Sequence, residues 1–297
     1  MGGRAFHNRG LQAPRLAPKL YTSLVTLYQP VLEELYARVV CLPSVWEKPD
    51  HGDIDFLVVE RDDSSIDPVE LADRLGAKAF IVNAPSTSYA VPHPDFTSSS
   101  KVIVQIDIRT CPKETFDWQS FTGSYADLGP VLAFLLRPVA LKITDKGFFL
   151  RVPPSQAYSK GKEDMLLLSN DPEAVMRFLG LDEERFKAGF ATEFQVFDFL
   201  LSGRLPRPQK LSGGELRKKD RVLVKKRPMF RRFVEDYLSR QGGEHGTEGD
   251  GNGDGKGEGE GEGEENEAGK YKWETKEEVK EAALRHFHRQ VKYEAMS

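Results

Sequence analysis

Residues 51–60 read HGDIDFLVVE: two carboxylates, Asp53 and Asp55, at the mouth of an apolar run with the composition of a buried strand. Charge is buried reluctantly, so the placement needs a reason. Alternate residues of a strand share a face and lie about 6.5–7 Å apart along the chain. Asp53 and Asp55 therefore point the same way, while Ile54 and Phe56 turn to the opposite, buried side. Asp107 repeats the setting within VQIDIR, between Ile106 and Ile108. If the two strands are neighbours, three acids share one patch. Two unit charges about 4 Å apart repel by roughly 4 kcal/mol at an effective dielectric near 20, so a fold carrying three must compensate them.

Two readings account for that. In one, Asp53 caps the strand mouth while Asp55 and Asp107 pair with Arg109. In the other, divalent cations neutralise the patch, and an acid set among apolar neighbours on two separate strands favours this second reading. Oxygen donors alone suit Mg²⁺ or Mn²⁺ better than zinc. Two such ions about 3.5–4 Å apart serve an in-line displacement at phosphorus, one at the attacking hydroxyl and one at the leaving group.

Around this stretch the pattern alternates between helix and strand. From Lys19 to Ala37, Leu20, Leu24, Leu27, Val31 and Leu35 recur at helical spacing, with a kink expected at Pro30. RVVCL, IDFLVVE, AFIVNA and KVIVQIDIR read as strands, with a Pro/Ser-rich loop expected from 84 to 100. PVELADRLG is a helix capped by Asp67 and stopped at Gly76. YADLGPVLAFLLRP reads as a further helix, and LKITDKGFFLRV as a hairpin turning at Asp145-Lys146-Gly147. From about 163 to 203 the pattern is helical. From 241 to 270 the chain is Gly and Glu with almost nothing apolar, so disorder is expected there. A final helix, with Val279, Ala283, Phe287 and Val291 on one stripe, lies within 271–297.

The 297 residues are 39% hydrophobic with a net charge of −4, and the charge is segregated. Residues 204–232 hold twelve Lys/Arg against Glu215 and Asp220, a net of +10; residues 244–267 hold ten acids against Lys256, a net of −9. In the basic stretch Arg217, Lys218, Lys219, Lys225, Lys226 and Arg227 are candidates to track a phosphate backbone. The same run has the composition of a nuclear import signal. The competing readings are a solvated helical face and an arm shielded by the acidic segment. Cys41 and Cys111 lack zinc or disulfide spacing, which points to a reducing, intracellular setting, nuclear or cytoplasmic. Residues 1–17 read as a flexible basic arm, and four cations without an acid in the first 32 residues leave a mitochondrial address open. No apolar run approaches the roughly 18 residues of a membrane span. Trp46 and Trp118 have the surface to stack on a base, with packing as the plainer role.

GDIDFLV, then IDIRTCPKETF, then FTGS, in that order, resembles the palm of the family X DNA polymerases, the polymerase beta group of the nucleotidyltransferases. ALKITDKGFF and SNDPEAVMRFLGLD are similar to that family's following hairpin and the start of its thumb, so the likeness covers about residues 40–182. It implies an α+β fold: a nucleotidyltransferase-type mixed sheet with flanking helices over 18–152, then a small, mostly helical thumb-like region over 153–240. It also implies that Asp53 and Asp55 bind two Mg²⁺ or Mn²⁺ ions and that Asp107 binds one of them and orients the acceptor hydroxyl. Ser44, at a helix start, and Lys48 would hold a nucleoside triphosphate, and Phe121, Gly123 and Ser124 would line its sugar. Arg109 would pair with Asp55 when metal is absent.

The chain departs from that family at defined places. Pro43 precedes Ser44 and lacks an N–H for a phosphate, Trp46 and Glu47 stand where basic residues follow, and Ser120 replaces an aromatic. Leu128 and Leu132 stand where templated members carry an Asn and an Arg. The expectation is a nucleotidyltransferase adding a nucleoside monophosphate to a nucleic-acid 3′ end with loose or no templating. The alternatives are a catalytically silent palm that binds nucleic acid or acts as a scaffold, and an enzyme with a protein or small-molecule acceptor. Oligomeric state leaves no mark in the sequence.

Overall fold

Polar–apolar alternation builds a five-stranded sheet: β1 (Arg38–Cys41), β2 (Ile54–Val59), β3 (Ala79–Asn83), β4 (Ser86–Pro92) and β5 (Ile103–Thr110). The order is β1-β2-β5-β4-β3. β2 and β5 run parallel at its centre, and every other pair is antiparallel. The structure, a computed structural model, describes residues 3–61, 65–96, 101–153, 164–205, 216–241, 273 and 275–296. The fold is α+β, a mixed sheet with flanking helices. The chain divides into two units at Ala126/Asp127, rather than at 152. The expected hairpin lies beyond that division because it pairs with a strand of its own unit.

In the first unit, Ile54, Phe56, Val58, Ile106 and Ile108 face α1 (Pro18–Leu35) and α2 (Pro68–Leu75), packing on Leu24, Leu32, Leu71 and Leu75. Each such side chain contributes about 1.5–3 kcal/mol by leaving water. α1 runs through Pro30 as one helix. Its buried face centres on Leu24, Tyr28 and Leu32, which leaves Leu27, about 100° round from Tyr28, 58% exposed rather than in the expected stripe. Asp67 caps α2 through the Val69 N–H, and Gly76 closes it in the left-handed region, as the sequence indicates.

β4 occupies part of the expected 84–100 loop. Tyr89 and Val91 supply the buried side of its alternation and Ala90 packs on the other face. The opposite face of the sheet carries two small clusters. Leu57 and Val59 pack on Phe116 of α3 (Phe116–Gly123), and Ala90 and Ile103 pack on Phe6. Phe6 belongs to the segment expected to be a flexible arm. From Gly3 onward that segment is fixed instead: the Gln12 N–H donates to Lys101 O and the Ile103 N–H to Gln12 O, while Leu16 and His51 exchange a pair of bonds at 2.8 and 2.9 Å. Phe6 and Leu16 are 2% and 1% exposed, and these apolar anchors outweigh the arm's charge.

The second unit holds β6 (Leu141–Thr144), β7 (Gly147–Val152) and β8 (Asp164–Ser169), in that spatial order. β8 interrupts the expected helical stretch: the Met-Leu-Leu-Leu within DMLLLS consists of good helix formers, and pairing with β7 overrides their propensity. Around this sheet are α4 (Leu128–Leu136), α5 (Pro172–Leu179), α6 (Glu183–Ala188), α7 (Glu193–Leu201), α8 (Lys218–Lys226), α9 (Pro228–Arg232) and α10 (Leu238–Gln241). The C-terminal region is two helices, α11 (Lys276–His286) and α12 (Gln290–Glu294), parted at His288, where φ is 53°. Phe287 docks on Phe178, centroids 5.2 Å apart, as does Trp273 at 4.8 Å. Val291, placed on the expected stripe, is 83% exposed. The Gly/Glu stretch expected to be disordered lies, after Gln241, outside the described residues. Among the described residues no helix is long and apolar enough to cross a membrane.

Phe6→Ala therefore lowers the stability of the first unit by about 3–5 kcal/mol, the range for a buried Phe, in urea denaturation followed by circular dichroism. An unattached arm predicts no change.

Candidate metal centre

The register of β2 on β5 sets Asp55 directly opposite Asp107. Asp53 joins them two residues before Asp55, and one carboxylate oxygen from each lies within 4.8 Å of the others. The three acids named from the sequence therefore meet at one place, and this cluster can hold a metal ion. Strand alternation puts the carboxylates on the face of the two small clusters, between α3 and the N-terminal arm.

The acids differ in surroundings. Asp53 accepts the Gly3 N–H at 3.1 Å. Asp107 accepts bonds from the Gln105 amide at both its oxygens, at 3.0 and 2.9 Å, and a bond from the Ser88 hydroxyl across the β4–β5 ladder. Asp55 has no side-chain hydrogen bond among the described residues and is exposed, although protein atoms crowd around its carboxylate. Burial, then the charges of Asp53 and Asp107, push its pKa up from 3.8 to about 7, against the pull of the Lys48 cation. Burial also raises Asp107, and its hydrogen bonds from Ser88 and Gln105 oppose that rise. A set of oxygens short of positive charge fits a hard divalent cation.

The other site residues named from the sequence stand differently. Lys48 is half-buried and within the electrostatic reach of Asp55. Ser44 lies in the loop between β1 and β2, where no helix starts. Pro43 O in that loop accepts the Tyr125 N–H at 2.7 Å, and a Cβ on Gly123 would lie 3.1 Å from Leu42. The FTGS segment thus clamps the loop from behind. Phe121 and Ser124 are 2% and 1% exposed, and the Ser124 hydroxyl donates to Ser120 O, so both are packing residues here rather than a sugar platform. Tyr125 and Ala126, just beyond, sit at φ 53° and 60°, a strained conformation for residues with a Cβ. Trp46 is 67% exposed on the same loop, whereas Trp118 is fully buried. Arg109 is exposed and makes no ion pair with Asp55 or Asp107 among the described residues.

In the second unit, Asp220 anchors α8 through its pair with Arg137 at 2.5 Å, and Leu128 and Leu132 of α4 are buried. Arg217, Lys218, Lys219, Lys225 and Lys226 are exposed and outside any ion pair among the described residues. Arg227 is engaged otherwise: its guanidinium pairs with Asp127 at 2.7 Å, and the Phe230 N–H donates to the same carboxylate. Gln105, Ser88, Gly3 and Ala5 escaped the sequence reading. A polar Gln105 two residues before Asp107, on the same face of the strand and flanked by Val104 and Ile106, was the available signal.

No model of a known protein family matches the chain, and a search among characterised proteins finds no match.

Asp55 and Asp107 hold protons more tightly in the folded chain than in the unfolded one. Metal-free stability therefore falls as pH rises from 3.8 toward about 7. A bound cation displaces those protons, so the melting temperature gained on adding Mg²⁺ or Mn²⁺ is small at pH 5 and larger at pH 8. At a hundredfold excess over Kd the gain is worth about 2.7 kcal/mol. Asp55→Asn abolishes it. Thermal melts across that pH range check both; a gain independent of pH, or retained in the variant, contradicts the cation site.

Proposed function

We propose that the first unit is a metal-dependent nucleotidyltransferase that moves a nucleoside monophosphate from a nucleoside triphosphate to a hydroxyl, releasing pyrophosphate. The observation that carries the proposal is the meeting of Asp53, Asp55 and Asp107, two of them level on adjacent parallel strands. The residue order that resembles the family X polymerases supports it. Bound Mg²⁺ or Mn²⁺, with two ions as the proposed number, would supply the positive charge that the triphosphate and the three carboxylates require.

The residues themselves divide the work. Asp53, Asp55 and Asp107 form the cation seat, and Asp107, on the next strand, also orients the acceptor hydroxyl. The hydroxyl oxygen forms a bond to the α-phosphorus as the bond to pyrophosphate breaks. Its proton passes to Asp107 Oδ or to water. Lys48 offers charge to the phosphates, and exposed Trp46 offers a ring face to a base. The exposed cations of α8 support a nucleic-acid acceptor, with an intracellular location following from that acceptor. A second reading, a palm that binds nucleic acid without turnover, draws on the buried Phe121 and Ser124 and on the lack of a helix after Ser44.

Labelled nucleoside triphosphates with Mn²⁺ and single-stranded or primed nucleic acid give product that disappears in Asp107→Asn. Binding without product under every metal favours the second reading, and labelling of a protein or small molecule redirects the acceptor. Replacing Lys218, Lys219 and Lys226 by Gln weakens nucleic-acid binding equally across sequences. It also flattens the slope of log K against log salt by about 0.7–0.9 for each phosphate that the protein no longer neutralises. An unchanged slope removes α8 from the interface.

A further inference from the structure

Gln105 is 4% exposed, and both ends of its amide are used. Its nitrogen donates to the two oxygens of Asp107 at 3.0 and 2.9 Å, and its oxygen accepts the Ala5 N–H at 2.9 Å. Chemistry fixes which end is which. A backbone N–H can only donate and an ionised carboxylate can only accept, so Ala5 selects the one orientation of the amide that presents its NH₂ to Asp107. Two residues earlier, the Gly3 N–H donates to Asp53. Gly3 has φ 81°, and a Cβ there would stand 2.4 Å from Gly52 O, so the arm meets the strand mouth with no room for a side chain. Phe6, next to Ala5, is locked in its cluster with Ala90 and Ile103. The donors are thus set by a fixed segment.

Resting on the reading of the three acids as a cation seat, we propose that the N-terminal arm is a positioning device for that seat. The Gly3 amide orients Asp53, and the Ala5 amide, through Gln105, orients Asp107, so that both carboxylates present free lone pairs toward Asp55. Gln105 is a positioning residue: it acts on the cation through Asp107. Partners that orient metal-binding carboxylates typically cost 10–100-fold in metal affinity when removed.

The test uses Mn²⁺ titration of the full chain, followed by calorimetry or by the paramagnetic resonance of free Mn²⁺. Gln105→Met keeps the length and volume of the side chain and removes the amide; Gly3→Ala pushes the arm off Gly52. Each weakens Mn²⁺ binding about tenfold while circular dichroism stays unchanged. In an Asp107→Asn background Gln105→Met has no further effect, because contacting residues are not additive. Wild-type affinity in both folded variants overturns the proposal and leaves the cation seat standing. So does an equal loss from Gln105→Met in both backgrounds, since that marks a general structural role. If Gln105→Met fails to fold, Gly3→Ala decides. Failure of the wild-type chain to bind Mn²⁺ overturns the seat and the proposal together.

Discussion

The parallel pairing of β2 with β5 places one carboxylate level with another, and the rest of the first unit is arranged around that repulsion. Ile54, Phe56, Ile106 and Ile108 hold the strands in register from the far side, where a slip of one residue would turn acids into the core and isoleucines into water. On the near side, each local compensation is a neutral donor: a backbone amide, a carboxamide, a hydroxyl. Neutral donors reduce the cost of neighbouring charges without removing the charge. The Lys48 cation is not hydrogen-bonded to the cluster among the described residues and opposes the shift of Asp55. The fold thus sustains a local excess of negative charge that a divalent cation suits.

Much of this was legible in the sequence because it rests on period-two alternation. Asp53, Asp55 and Asp107 declared their shared face through the isoleucines and phenylalanine between them. The cap at Asp67 and the stop at Gly76 followed from local chemistry, and both are present. What failed was whatever depends on pairing across the chain. β4 is hidden behind Ser86, Thr87 and Ser88, residues that favour turns until β3 and β5 offer them a ladder on both sides. β8 is written in Leu and Met and becomes a strand only against β7. The arm's arginines point to a solvated segment, yet the buried Phe6 and Leu16 decide its fate.

The same distinction applies to the site. The acids were visible because charge in a strand is costly and conspicuous. Gln105 was less visible because its meaning depends on Ala5, a hundred residues away. FTGS shows the reverse error. Its order suggested a ligand platform, whereas the helix α3 turns Phe121 inward and the Ser124 hydroxyl back to Ser120. A motif fixes residue types, and local helix geometry then decides which of them meet solvent. The basic stretch divides in the same manner: Asp220 and Arg227 bind α8 to its own unit, Arg232 pairs with Glu193, and Arg217, Lys218, Lys219, Lys225 and Lys226 are left at the surface.

The close fit of Gly3 against Gly52 carries a practical consequence for handling this protein. Any polypeptide joined ahead of Gly3 must leave the molecule beside the Asp53 carboxylate. An affinity handle or fluorescent fusion placed at that end would lodge next to the acids and lend them whatever imidazoles or charges it carries. Attached after α12, the same handle joins the chain far along the sequence from the arm that braces those acids.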